Sequence, residues 1–119
     1  MGDQYPKFKA AAVQTSPVFL NREATTEKAC RLIHEAGRNG ARLVAFPETF
    51  IPGYPYWIWL DSPLKYSDWF TRLFNEAVEI PSPTTDALCQ AARAADIYVV
   101  MGVNEKIATN MGTMWNTNV

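Results

Sequence analysis

The sequence predicts an α/β fold class, and three observations lead to this prediction. An alternating segment at residues 7–14 is followed by a segment with helical spacing and then by a short, continuous apolar run at residues 42–46. A strand, a helix and a strand joined by short connections form a βαβ unit, in which the two strands are parallel. A further helical pattern and a β-branched run at residues 97–103 extend the same order.

The composition is that of one globular unit. The 119 residues carry a formal net charge of −1, and 48% of them are apolar. These values exclude a disordered tail and a basic nucleic-acid-binding arm. The longest apolar stretch, at residues 97–103, is far shorter than the roughly 20 residues that a membrane-spanning helix needs. We therefore expect neither a nucleic-acid nor a membrane partner, and the N-terminus lacks signal-peptide features, which predicts a cytoplasmic location.

The first strand is predicted at residues 7–14, because its alternating small residues suit a strand packed on both faces. Asn21 is a good N-cap for the helix that follows, and Gly37 and Gly40 are predicted to close this helix. Residues 42–46 form the second strand, since an uninterrupted apolar run is typical of strands buried on both faces. The inward face of the helix is predicted to consist of Ala29, Leu32, Ile33 and Ala36.

Two further helices and a third strand are predicted after the middle of the chain. Residues 67–77 have the apolar spacing of an amphipathic helix. Thr84 or Thr85 is expected to cap the next helix, which runs to Ala95. Residues 97–103 form the third strand, the most β-branched part of the chain.

A fourth strand is predicted at residues 114–119, after a turn at residues 111–113. A sheet that stops at this point leaves an edge and an apolar face without a cover. We therefore expect residues 1–119 to be the N-terminal part of an incomplete domain.

The segment at residues 47–63 is too apolar for a solvated loop, although it contains four prolines. Aromatic patches of this kind usually mark a contact or a binding site. We expect the segment to cover the sheet or a partner subunit through Phe50, Tyr54, Tyr56, Trp57 and Trp59.

Glu48 is the strongest candidate for chemistry, because it directly follows the second predicted strand. Ligands of parallel α/β sheets bind at the carboxyl ends of the strands. Aromatic neighbours would desolvate this carboxylate and favour its protonated form, as a general base near neutral pH requires. The alternative is that Glu48 only accepts hydrogen bonds from the turn at residues 49–53, and its position alone does not decide between the two.

Glu105 also follows a strand, and two carboxylates at neighbouring strand ends can form an acid/base pair. A polar stretch beginning at Lys106 follows it, so a solvated or salt-bridged turn residue is the favoured interpretation.

Cys30 and Cys89 lie within predicted helices and are expected to be reduced packing residues. Cys30 and His34 are four residues apart, but two ligands do not make a metal site. No strand is followed by a glycine-rich phosphate loop. We therefore expect no metal and no cofactor.

Residues 46–55, Phe-Pro-Glu-Thr-Phe-Ile-Pro-Gly-Tyr-Pro, resemble the glutamate motif of the nitrilase superfamily of carbon-nitrogen hydrolases. The continuation at residues 52–57 is more similar to the true nitrilases than to the amidases or carbamoylases. Four further segments are similar to this family in order and spacing: residues 9–14, 40–44, 97–102 and 112–117.

The resemblance implies the N-terminal part of a four-layer α-β-β-α sandwich and a Glu-Lys-Cys catalytic triad. Glu48 matches the glutamate of the triad, which acts as the general base. Lys106, Cys30 and Cys89 do not match the lysine and cysteine motifs, which follow residues 112–119 in the family order. The 119-residue chain alone is therefore expected to be inactive.

The implied function is hydrolysis of an organic nitrile to a carboxylic acid and ammonia without a cofactor, with Tyr54, Trp57 and Trp59 binding the substrate. Two alternatives remain open at this point. One is an amidase or carbamoylase of the same superfamily, and the other is a truncated, non-catalytic product that associates with other subunits. The family commonly forms homo-oligomers, which we also expect here.

Overall fold

A computed structural model describes residues 2–119 of the chain. Two short 3-10 helices, Tyr56–Trp59 and Pro63–Tyr66, lie between the second strand and the second α-helix. The regular elements are β1 (Ala10–Ala12), α1 (Arg22–Arg38), β2 (Leu43–Ala45), α2 (Ser67–Glu76), α3 (Pro83–Ala95), β3 (Tyr98–Val100), β4 (Gly102–Glu105) and β5 (Trp115–Asn118).

β1, β2 and β3 form a parallel sheet with β2 in the centre, which confirms the α/β class and the βαβ unit. Leu43 is paired with Ala10 on one side and with Tyr98 on the other. The first strand is shorter than the predicted 7–14, because β2, the strand with which it pairs, is itself three residues long.

α1 begins and packs as predicted. The Asn21 side chain accepts a hydrogen bond from the backbone N–H of Ala24 at 3.0 Å, and the helix buries Ala29, Ile33 and Ala36. The predicted role of Gly37 is wrong, since it lies inside the helix. A Cβ atom at Gly37 would lie 2.9 Å from the carbonyl oxygen of Ala95, so this glycine permits close packing of α1 on α3.

α3 begins earlier than either predicted cap, Thr84 or Thr85, would allow. Its N-cap is Ser82, and the Thr85 hydroxyl accepts a hydrogen bond from the Ser82 N–H at 2.9 Å. Pro83 takes the first helical position, where its missing N–H costs nothing. The predicted caps, Thr84 and Thr85, therefore lie two and three residues too late.

The predicted third strand at residues 97–103 is two strands. Tyr98–Val100 stays in the parallel sheet, whereas Gly102–Glu105 pairs with β5 in antiparallel orientation. The change of sheet occurs at Met101, a buried residue whose N–H and C=O both bond to Val119. The predicted fourth strand is confirmed as β5.

The other edge of β4 receives two connecting segments in succession. Ile51 donates to the Gly102 carbonyl at 3.2 Å and accepts from the Asn104 N–H at 2.9 Å. Val78, two residues after α2, donates to the Asn104 carbonyl and accepts from the Lys106 N–H, both at 2.8 Å. β4 is therefore the strand on which the loop after β2 and the segment after α2 converge.

The core lies between the parallel sheet and the pair of helices α1 and α3. Val44 at the centre of β2 is fully buried, and Ile33, Leu88 and Ile97 belong to the same cluster. Within residues 2–119, no helix combines the length and the apolar character that spanning a membrane requires.

Candidate active site

Glu48 lies in the loop that follows β2, between a half-buried proline and buried neighbours. Thr49 adopts a left-handed backbone conformation with φ of 46°, which is unusual for a β-branched residue and is typical of functional sites. The Gly53 N–H donates to the Thr49 carbonyl at 3.0 Å and closes the loop. The loop buries Thr49 and Phe50 and leaves the Glu48 side chain facing outwards.

The predicted desolvation of Glu48 is therefore wrong: the residue is exposed in this chain. The reason is local, because Phe46 and Phe50 pack against each other and into the core at a ring separation of 5.3 Å instead of over the carboxylate. Glu48 lies at an open cavity and accepts a hydrogen bond there.

The donor to Glu48 comes from β5. The Asn116 side-chain amide donates to Oε1 of Glu48. Asn116 is paired across the strands with Asn104, whose buried amide donates to the Gly53 carbonyl at 2.9 Å. The two asparagines thus bind opposite ends of the Glu48 loop. Sequence reasoning missed both, because neither is adjacent to the glutamate motif in the chain.

A cavity of about 810 Å³ lies beside Glu48. Tyr54 and Trp57, two of the three predicted substrate-binding residues, contribute to its wall. Trp59 does not, and its side chain is 75% exposed. The aromatic wall is completed by residues that sequence reasoning did not assign to the site: Phe19, Tyr56, Tyr66 and Trp69.

Trp57 is the fixed part of this wall. Only 4% of it is exposed, and its ring contacts Trp69 and Phe70 at centroid distances of 5.5 Å and Phe19 at 6.0 Å. The pairs with Phe19 and Phe70 are edge-to-face and the pair with Trp69 is tilted, and such pairs hold aromatic rings in defined orientations. The same residue therefore anchors a second small core and lines the cavity.

Glu105 lies away from this cavity, at a separate cleft formed by the end of β4 and by β5. The Thr117 hydroxyl donates to Oε2 of Glu105 at 2.7 Å. The structure thus gives Glu48 and Glu105 different surroundings and does not place them together as an acid/base pair.

In the part of the chain that the structure describes, Lys106 and the two cysteines make no contact that suggests a catalytic role. The Lys106 ammonium donates to the carbonyls of Phe74 and Asn75, both at 2.9 Å, at the end of α2. Burial raises the pKa of the Cys30 thiol, which lies 3.7 Å from the Ala87 carbonyl oxygen. Cys89 is exposed, and both thiols are free.

Comparison with known proteins matches most of the chain to one family. The sequence model of the family described as Carbon-nitrogen hydrolase matches residues 9–119. The chain is 47% identical over 102 residues to a nitrilase of Bacillus sp. (strain OxB-1), a match that covers 86% of this chain and 30% of that protein.

Two further relatives have a similar degree of identity. An aliphatic nitrilase of Rhodococcus rhodochrous is 48% identical over 100 residues, which is 83% of this chain and 27% of the relative. An arylacetonitrilase of Hypocrea virens (strain Gv29-8 / FGSC 10586) is 46% identical over 97 residues, which is 82% of this chain and 29% of the relative. The chain thus spans about a third of the length of the curated relatives that it matches.

Proposed function

This chain belongs to the carbon-nitrogen hydrolase family, and from that premise we propose that it is the N-terminal portion of a nitrilase, which converts an organic nitrile and water to a carboxylic acid and ammonia. The observation that carries the proposal is the position of Glu48. It follows the central strand of a parallel sheet and lies at the mouth of an aromatic cavity. Ligands of α/β sheets bind at this end of the strands.

Glu48 acts as the general base in the proposed mechanism. It accepts the proton of a cysteine thiol as the sulfur attacks the nitrile carbon, and it returns that proton to the nitrogen of the thioimidate. A first water then adds to the thioimidate carbon and ammonia leaves, which gives the acyl-enzyme. A second water cleaves the thioester bond and releases the carboxylic acid; Glu48 accepts a proton from each water and gives it first to the departing nitrogen and then to the cysteine sulfur. The cysteine and a lysine that stabilises developing negative charge belong to the remainder of the enzyme, since neither residue is at the Glu48 site within residues 2–119.

The cavity walls support a substrate with an apolar body. Tyr54 and Trp57 are proposed to contact it, because both line the cavity beside Glu48. Trp59 is proposed to contact substrate only when further parts of the enzyme cover its exposed side chain. Aromatic walls suit an aryl or arylalkyl nitrile.

The four-layer sandwich is part of the same proposal. α1 and α3 pack on each other and on the parallel sheet, which gives one helical layer and one sheet layer. A second sheet and a second helical layer would complete the architecture and cover the remaining face. Association into homo-oligomers is likewise proposed.

The test is Glu48→Gln in the nitrilase that carries this chain. The amide keeps the shape of the side chain but cannot accept the proton, so we expect ammonia release from an aryl nitrile to fall by about a thousandfold or more with an unchanged unfolding midpoint. Glu105→Gln is the matched control, because it removes a carboxylate from the end of a neighbouring strand and should leave turnover within about threefold.

Near-normal turnover of Glu48→Gln would reduce Glu48 to a loop residue and contradict the proposal. Hydrolysis of the corresponding amide in place of the nitrile would move the enzyme to the amidases. The 119-residue chain assayed by itself is expected to release no ammonia, and activity of this chain would contradict the proposed need for a lysine and a cysteine from outside it.

A further inference from the structure

We propose that Asn116 is a positioning residue for Glu48, and that its hydrogen bond decides which carboxylate oxygen acts as the base. The inference rests on the proposed function. Its first support is the direct contact, in which the Asn116 amide donates to Oε1 of Glu48 from a strand 68 positions away in the chain. A hydrogen bond to a carboxylate is among the stronger ones that a neutral donor makes.

The second support is that Asn116 itself is held in place by a sheet. It lies in the middle of β5, which pairs with β4 over four residues from Gly102↔Asn118 to Glu105↔Trp115. Its cross-strand partner Asn104 is buried and bonded to the Gly53 carbonyl. A donor on a paired strand is located more accurately than a donor on a loop.

The third support is that β4 fixes the loop independently of the side chains. Ile51 forms backbone hydrogen bonds with Gly102 and Asn104. These bonds prevent the loop from shifting along the pair of strands β4 and β5. The backbone hydrogen bonds fix the position of the Glu48 main chain, and the Asn116 hydrogen bond fixes the rotation of its carboxylate.

The chemical consequence concerns the two oxygens of the carboxylate. Oε1 is occupied by Asn116, whereas Oε2 has no hydrogen-bond partner within residues 2–119. Oε2 is thus the oxygen left to accept the proton of the nucleophile. Such orientation is effective because a displacement of about 1 Å can cost about a hundredfold in rate.

The first test needs no activity and uses the nitrilase that carries this chain. Side-chain amide resonances of Asn116 and Asn118 are compared by 1H–15N NMR with and without Glu48→Ala. We expect the Asn116 resonance to shift more than the Asn118 resonance, since Asn118 is on the same strand but has no hydrogen bond to Glu48 within residues 2–119. An unmoved Asn116 resonance would overturn the inference.

The second test is kinetic and uses the nitrilase that carries the chain. Asn116→Ala should lower kcat by about tenfold or more and leave KM within about twofold, because orientation of the base affects the chemical step and not substrate binding. Asn116→Leu keeps the size of the side chain and should do the same, which covers the case that the alanine variant folds poorly. Asn118→Ala, the matched control, should change neither constant.

Glu48→Gln is measured alongside to separate the two proposals. Full activity of both Asn116 variants with an inactive Glu48→Gln would overturn the positioning role and leave the proposed function intact. Full activity of Glu48→Gln would overturn the proposed function and the role of Asn116 with it.

Discussion

Gly102 is a residue at which the Glu48 loop and β4 approach each other very closely. A Cβ atom at this position would lie 2.4 Å from the Pro47 carbonyl oxygen, 2.7 Å from the Thr49 nitrogen and 2.9 Å from the Glu48 Cα. All three are backbone atoms, which cannot rotate away as a side chain can. The absence of a side chain at residue 102 is therefore what permits the loop to lie against the strand.

Gly102→Ala should lower the free energy of unfolding by about 3 kcal/mol, because the added methyl group must displace the backbone of the Glu48 loop. Gly112→Ala is the control: its φ of 84° is strained for alanine, but no atom lies within 4 Å of the added Cβ, so about 1 kcal/mol is expected. Urea unfolding midpoints measure both. Equal costs for the two variants would show that the close approach is absent.

The sequence located Glu48 but not its donor. Glu48 was predictable because it follows an apolar run directly and belongs to a recognisable motif. Asn116 was not, since its contact depends on the register between β4 and β5, and that register is a property of the paired strands. The exposure of Glu48 was mispredicted for a related reason: the number of aromatic neighbours in the sequence does not say which way each ring packs.

The C-terminal end of α2 is held by two cations from other parts of the chain. The Lys106 ammonium bonds to the carbonyls of Phe74 and Asn75. The Arg22 guanidinium bonds to the carbonyls of Asn75 and Ala77 at 3.3 and 3.2 Å. The last carbonyls of a helix lack partners and carry the negative end of its dipole, so cations stabilise this end.

Lys106→Met should destabilise the chain by about 1–2 kcal/mol, because it removes two charged hydrogen bonds but keeps an unbranched side chain beside Phe74. Lys65→Met is the matched control. Its ammonium pairs with Asp61, four residues earlier, at the exposed surface, where solvent screening leaves such pairs with little effect on stability. Thermal unfolding compares them, and a similar loss for both would contradict the anchoring of α2 by Lys106.

Helices were more predictable than strands in this chain. The apolar spacing that predicts α1 and α2 extends over ten or more residues. One residue that breaks the pattern therefore does not change the prediction. The strands are only three or four residues long, and the run at residues 97–103 carries no local mark of its division at Met101. That division arises because Met101 pairs with Val119 and Gly102 receives the Glu48 loop, both distant in the sequence.

The molecular surface carries large apolar side chains, of which Tyr56 and Leu60 also line the cavity. Leu64 is 88% exposed and Leu60 is 72% exposed, and Tyr56 and Trp59 are also exposed. β3 is at the edge of the parallel sheet, where its free backbone groups can pair with another strand. Exposed apolar groups of this number favour association.

The purified chain is expected to associate in a concentration-dependent way and to bind a hydrophobic dye. Sedimentation velocity measures the association. Replacing Trp59 and Leu64 with lysine should reduce it, whereas Phe8→Lys, a control at an exposed aromatic residue in the N-terminal segment, should not. A monodisperse monomer that unfolds cooperatively would contradict this expectation.

The convergence of two segments on one edge of β4 links Glu48 to the wall of the cavity. The loop that carries Glu48 reaches this edge through Ile51, and the segment after α2, the helix that supplies Trp69, reaches it through Val78. If the two segments fluctuated independently, the distance between the Glu48 carboxylate and the aromatic wall would vary with time. Here both segments are bonded to the same four-residue strand, so we expect them to move together and the cavity to keep its dimensions.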